Sequence, residues 1–265
     1  MSKNDLSNLV NLERYPIDRP ESPECLSTIE EAKKILKEEG LVVLDGFANP
    51  SLVEEVKGFA DQNKDNIYTE VSEGNAYICD GDASLPADHP KNIIMQTQLG
   101  VLSYEQIPDE MRLYKFYHND DIKKFVEKII GRGEIFRYEC DLGSINVAAM
   151  GKTDKLRWHF DNSDFVVSIP IQESESGGDY EYVFKIRDEN SENYDEVKKL
   201  LDGDHSRVKK LVARPGSLVL FEGRYTIHRV TEITGESLRI VGLLGFASEP
   251  GVKSSPKLRE IRYGK

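Results

Sequence analysis

Apolar positions follow two regimes, a helical spacing up to about residue 134 and a strand-like alternation beyond it. In STIEEAKKILKEEG the residues Ile29, Ala32, Ile35 and Leu36 share one helical face, and Gly40 reads as the C-cap. Residues 41–47 then read as a buried strand. Asn49 and Pro50 read as the N-cap and first position of a second helix that turns Leu52, Val53, Val56 and Phe59 inward. Two more helices are predicted, at residues 105–117 and 120–130, the latter amphipathic through Ile122, Phe125, Val126 and Ile129 and ended by Gly131. Ahead of them, residues 74–100 read as irregular, with short strands near 76–79 and 93–98. Residues 1–24 read as an extended arm, because Pro16, Pro20 and Pro23 argue against a helix.

Past residue 135 the runs IFRYECDLG, SINVAAM, KLRWHF, FVVSIPIQE, YEYVFKI, KKLVARPGSLVLF, YTIHRVTEI and SLRIVGLLGF are short, rich in β formers and broken by Gly, Asp and Pro. One helical stretch, residues 193–203, interrupts them. This spacing predicts an α+β, β-rich chain with a sandwich or jelly-roll core. A single domain over 25–265 is expected, helical over about 25–134 and β-rich over about 135–250.

Composition narrows the class. The net charge of −12 opposes binding to phosphate backbones, so a nucleic-acid partner is not expected. No window approaches the roughly 20 apolar residues of a membrane span, and the first residues lack the apolar stretch of a signal peptide. Three widely spaced cysteines (Cys25, Cys79 and Cys140) make neither a disulfide framework nor a zinc knuckle. A cytoplasmic location is therefore expected.

Candidate chemistry centres on histidine. His118 and His159 both begin a His-x-Asp triplet, but His118 stands at a helix boundary where Asn119 or Asp120 serves as an N-cap. His159 lies where a strand runs into a short loop. Alternation puts His159 and Asp161 on one face, and a second imidazole would complete the two-His-one-carboxylate facial triad that holds Fe(II) with open positions. His205 follows a helix in a polar loop and reads as a surface residue. His228 lies in a strand, and eleven residues later Arg239 opens an otherwise apolar one. A guanidinium there needs an anion, either a bidentate carboxylate ligand or a neighbouring Asp or Glu.

The ordered set His159-Phe160-Asp161, Gly177-Gly178, Pro215-Gly216, His228 and Arg239 resembles the Fe(II)/2-oxoglutarate-dependent dioxygenases. The segments DHPKN, LRWHFDNSDF, GGDYEYVFKIRDENSENYD, RPGSLVLFEGRYTIHRV and GESLRIVGLLGF are similar to the bacterial group that contains free-amino-acid hydroxylases and free-lysine radical halogenases. The resemblance covers residues 41–250. It implies a double-stranded β-helix core with N-terminal helices packed on it, and His159, Asp161 and His228 as iron ligands. It also implies that Arg239 binds the distal carboxylate of 2-oxoglutarate, with O2 as second co-substrate. The implied reaction hydroxylates an unactivated C–H bond of a small polar metabolite, a free amino acid first, and releases succinate and CO2. Halogenases of the group carry a small residue where this chain has Asp161, which implies hydroxylation.

Asn146 is a candidate to hydrogen-bond the co-substrate or substrate, the alternative being a strand-capping amide. Glu139 and Asp141 are candidates for a substrate ammonium, or else a solvated pair. Asn162 is a candidate substrate contact where lysine-specific relatives are expected to carry an acid, so lysine is not the expected substrate. A cation for a substrate carboxylate would fall to Lys91 or Arg112. Trp158, next to a ligand but on the opposite face, reads as core. Residues 74–92 and 187–207 are expected to cover the site. Two other classes stay open, a hydroxylase of protein or peptide side chains and a non-catalytic β-helix sensor. Substrate, oxidised carbon and oligomeric state are not legible.

Overall fold

The structure is a computed structural model and describes residues 6–265; the first five residues of the arm lie outside it. Residues 6–22 do not extend into solvent. They run from turn to turn, with Leu6, Leu9, Val10, Tyr15 and Ile17 buried, and Tyr15 Oη donates to the Asp45 carbonyl at 2.8 Å. Helix α1 (Pro23–Glu39) starts before the expected Ser27, because Ser22 accepts from the Cys25 N–H and Pro23 occupies the first turn, where its missing N–H costs nothing. Strand β1 (Leu41–Leu44) and helix α2 (Pro50–Gln62) follow as expected, with Ala60 fully buried in place of the half-buried Phe59.

The irregular stretch contains a long hairpin, β2 (Tyr68–Gly74) and β3 (Met95–Leu102). No strand forms at 76–79, and β2 escapes a hydrophobic reading because its YTEVSEG sequence lies at the solvated sheet edge. The helix expected at 105–117 is interrupted by Pro108 and shortens to α3 (Arg112–His118). Helix α4 (Asp120–Ile130) matches its prediction, capped by the Asn119 side chain and by Gly131 in the left-handed conformation.

The second half supplies β4 (Phe136–Arg137), β5 (Ile145–Met150), β6 (Leu156–His159), β7 (Val166–Gln172), β8 (Tyr180–Val183), α5 (Tyr194–Leu201), β9 (Lys209–Lys210), β10 (Leu218–Phe221), β11 (Ile227–Val230), β12 (Arg239–Leu244), β13 (Phe246–Ala247) and α6 (Pro256–Tyr263). A seven-stranded sheet of order β1-β10-β7-β12-β5-β3-β2 faces a four-stranded sheet of order β6-β11-β8-β9, all pairs antiparallel. This is the expected jelly-roll core.

The two faces of the large sheet do different work. Ile145, Val147, Val167, Ile169, Leu218, Leu220 and Ile240 point toward the helices and join Ile29, Val56, Phe116, Phe125 and Ile129 in one core. Each such aliphatic side chain contributes about 1.5–3 kcal/mol by leaving water. Their neighbours Asn146, Ala148, Val166, Ser168, Val219, Arg239, Val241 and Leu243 point the other way, into a cavity of about 400 Å³ between the sheets. Among the described residues no helix is long and apolar enough to cross a membrane.

Candidate active site

Strands β6 and β11 pair so that His159 and His228 stand directly opposite each other, with ring centroids 4.1 Å apart. Each ring is anchored through Nδ1, which lies 2.9 Å from the Arg157 carbonyl in His159 and 3.1 Å from the Thr226 carbonyl in His228. A carbonyl only accepts, so Nδ1 carries the hydrogen and Nε2 presents a lone pair. Asp161, just past β6, places Oδ1 3.6 Å from His159 Nε2 and Oδ2 3.6 Å from His228 Nε2. The three side chains thus aim donor atoms at one point, all within 4.8 Å of one another.

The protonation states suit a cation. Burial alone pushes the Asp161 carboxyl up, but the facing His228 and His159 outweigh it and hold it at about 2. Burial, with His159 beside it, pulls His228 down to about 4. Two imidazole nitrogens and a carboxylate converge there, and the buried Asp161 Oδ2 has no hydrogen-bond partner. This donor set lacks a positive centre and fits a divalent ion with borderline nitrogen and oxygen preferences.

Gly223 makes room for that carboxylate. Its carbonyl accepts from the Asp161 N–H at 3.1 Å, and a Cβ on it would stand 1.8 Å from Asp161 Oδ2. Nothing in the local pattern of LFEGRY marks this role, which arises only when β10 is brought to the β6 loop.

Arg239 opens β12 on the cavity face, near Tyr180, whose ring stacks on His228 at 5.4 Å. Among the described residues no carboxylate lies within ion-pair distance of Arg239, so no structural partner consumes its fork. Asn146 is buried on the same face, its Nδ2 is 3.3 Å from Tyr263 Oη, and its Oδ1 is without a partner. Asn162 is exposed at the cavity mouth.

Other expectations place differently. Glu139 and Asp141 are exposed and outside the cavity lining; they do not share a strand, and Asp141 pairs with Arg259 at 3.3 Å. Arg112 is held by Glu55 at 2.8 Å and Lys91 lies over the Tyr194 ring, so neither lines the cavity. His118 packs on Tyr114 and bonds Tyr104 Oη at 3.0 Å, and His205 is exposed beside Trp158. Trp158 is in the core, as alternation requires. Residues 74–92 do cover the cavity, through Ile78 and Cys79, whereas 187–207 carries α5 and packs Val197 and Leu200 behind Trp158 and Phe160. The second cover is instead α6, which brings Leu258, Ile261, Arg262 and Tyr263. Arg157 and Arg262 are cavity residues that the sequence reading missed. Arg157 obeys the same alternation as His159, and Arg262 lies beyond the resembling segments.

A family model described as "HalD: Halogenase D" matches residues 91–260, which span the β-rich half and the first part of α6. The chain belongs to the halogenase D family. No curated protein matches it. Solved structures share the fold of this halogenase D family member at low identity. An oxidoreductase of the 2OG-Fe(II) oxygenase family from Burkholderia pseudomallei has a TM-score of 0.55 at 14% identity, over 84% of this chain and 92% of that one. AviO1 from Streptomyces viridochromogenes Tue57 has a TM-score of 0.57 at 12% identity, over 86% and 97%. HygX from Streptomyces hygroscopicus, solved with nickel and 2-oxoglutarate bound, has a TM-score of 0.53 at 13% identity, over 86% and 93%. The fold of this halogenase D family member is thus that of the 2-oxoglutarate/Fe(II) oxygenases.

Proposed function

We propose that this halogenase D family member is an Fe(II)- and 2-oxoglutarate-dependent oxygenase that hydroxylates a small polar metabolite, a free amino acid or close relative. The observation that carries the reading is the carboxylate of Asp161, seated between His159 and His228 in a gap that Gly223 keeps open. His159, Asp161 and His228 would hold the iron. Arg239 would take the distal carboxylate of 2-oxoglutarate, and Asn146, four positions further along the β5–β12 pair, offers an unpaired amide oxygen to the same cavity. Bound iron with 2-oxoglutarate and O2 supplies an oxidant strong enough for an unactivated C–H bond, with succinate and CO2 released.

The chain's own residues keep that chemistry in hand. The backbone carbonyls of Arg157 and Thr226 fix both imidazole orientations. Val166, Val219, Phe221 and Val241 wall the cavity with hydrocarbon and exclude water. A cavity of about 400 Å³ suits a co-substrate and a small molecule.

Halogenation is the second reading, favoured by the family's own description. It requires a ligand position free for an anion, and the Asp161 carboxylate fills that position and repels the anion. Succinate formation with Fe(II), 2-oxoglutarate and an amino-acid pool tests the class. Mass spectrometry of the product at high chloride separates the readings. Added oxygen is expected, and a chlorinated product from the unaltered protein overturns the role given to Asp161.

A further inference from the structure

Three arginines line the cavity, Arg157, Arg239 and Arg262, and Asp161 is the one acid among the lining residues. The rest of the protein has the opposite balance, with a net charge of −12. Arg239 is spoken for in the proposed function. The other two have no assigned task, and among the described residues neither forms an ion pair with Asp or Glu.

Arg157 is not a stray surface cation. Its Nη1 donates to Thr97 Oγ1 at 2.9 Å and its Nε to the Asn75 carbonyl at 3.4 Å, both neutral acceptors that orient the group without cancelling its charge. Gly74 lies beneath it, and a Cβ there would come within 2.7 Å of Nη2. Arg262 reaches the same cavity from α6 at the other cover, next to Tyr263. Two like charges converging on one cavity raise the energy of the empty state, and an anion between them relieves it.

Charge counting sets the ligand class. If iron and 2-oxoglutarate occupy the site as proposed, the 2+ ion and the dianion cancel, and Asp161 offsets one guanidinium. Two positive charges are left, and they sit on the side of the cavity away from Arg239's strand, on β6 and α6.

We propose that the substrate is a net-anionic small molecule with two carboxylates, an acidic amino acid or a related dicarboxylate, and that Arg157 and Arg262 together grip one of its carboxylates. Planar forks suit this task better than ammonium groups, since each can give two parallel hydrogen bonds to one carboxylate. The lining offers no second acid to offset the additional side-chain cation that lysine or arginine carries beyond the α-ammonium common to all amino acids, so cationic amino acids are disfavoured. The inference rests on the oxygenase reading for the occupancy of the iron and Arg239 subsites.

The test is anaerobic, with protein loaded with Fe(II) and saturating 2-oxoglutarate so that the Arg239 subsite is filled. Thermal shift and calorimetric titration are read with L-aspartate, L-glutamate, L-glutamine, L-lysine, L-arginine and dicarboxylates of three to six carbons. At least one dianion or acidic amino acid is expected to bind, and lysine and arginine are not. Arg262→Gln and Arg157→Gln should each weaken that binding by about tenfold or more, and Arg262→Lys should restore part of it. Circular dichroism and 2-oxoglutarate titration on the same samples identify a variant that merely misfolds, in which case Arg262→Gln, on the edge helix, decides. Binding of lysine in preference to glutamate, failure of every anion, or anion binding untouched by Arg262→Gln overturns the proposal. If the parent protein takes up neither Fe(II) nor 2-oxoglutarate, the oxygenase reading falls; if it takes up both and prefers cations, only this inference falls.

Discussion

His159 and His228 each give one ring nitrogen to a backbone carbonyl two residues earlier and turn the other toward Asp161. On the proposed reading, removing either imidazole leaves two ligands, too few to hold Fe(II) against water. His159→Ala and His228→Ala are therefore expected to abolish anaerobic Fe(II) binding by equilibrium dialysis, whereas His118→Ala and His205→Ala should retain it. Loss of binding in His205→Ala would transfer the ligand role away from His228. Gly223 gives a subtler test. A methyl there collides with Asp161 Oδ2 at 1.8 Å, so Gly223→Ala should lower iron affinity by about 10–100-fold while circular dichroism stays that of the parent. Arg239→Lys keeps the charge and loses the fork. The apparent affinity for 2-oxoglutarate should fall by about 1–3 kcal/mol, with iron affinity unchanged, and an unaltered KM would make Arg239 structural.

At the scale of elements, what could be read from the chain depended on whether an element's role is visible in its own residues. Helix α4 carries a complete stripe from Ile122 to Ile129 between a side-chain cap and a left-handed glycine, and it appears where expected. The His159–Asp161 pair is legible because a strand's period of two needs no knowledge of its partner. Strand β2 is a polar edge whose pairing with β3 supplies what its sequence does not, and α3 is cut short by Pro108. The β-rich run IFRYECDLG holds a strand only as far as Arg137, so Glu139 and Asp141 lie past its end and share no strand face. Gly223, Arg262 and Tyr263 act across distances in the fold, and no local pattern announces them. The loop after β2 shows a related effect. Ile78 lines the cavity with φ of +53°, a left-handed conformation that costs a β-branched residue about 1–3 kcal/mol. Relief of that strain should offset the lost side-chain contacts in Ile78→Gly. Its Tm should stay within about 3 °C of the parent in differential scanning calorimetry, and a larger drop would show that Ile78 packs more than it strains.

The whole molecule is acidic outside and cationic around one interior cavity, so its stability is tied to what fills that cavity. Fe(II) and 2-oxoglutarate, if bound as proposed at a site that only folding assembles, stabilise the folded chain. At a hundredfold excess over Kd each should add about 2.7 kcal/mol, which raises Tm by roughly 5–10 °C in a protein of this size. Scanning calorimetry with and without a chelator checks this, and His228→Ala should show no metal-dependent rise. The large sheet carries a further consequence. Its residues alternate between the helical core and the cavity, so two specifications are interleaved in the same strands, one on each parity of position. Drift at Ala148, Ser168, Val241 or Leu243 rewrites what the protein accepts, while Val147, Val167, Ile169 and Ile240 go on specifying the scaffold. A lineage built on such a sheet can change its chemistry one strand face at a time without renegotiating its fold, and a library confined to the cavity parity samples that freedom directly.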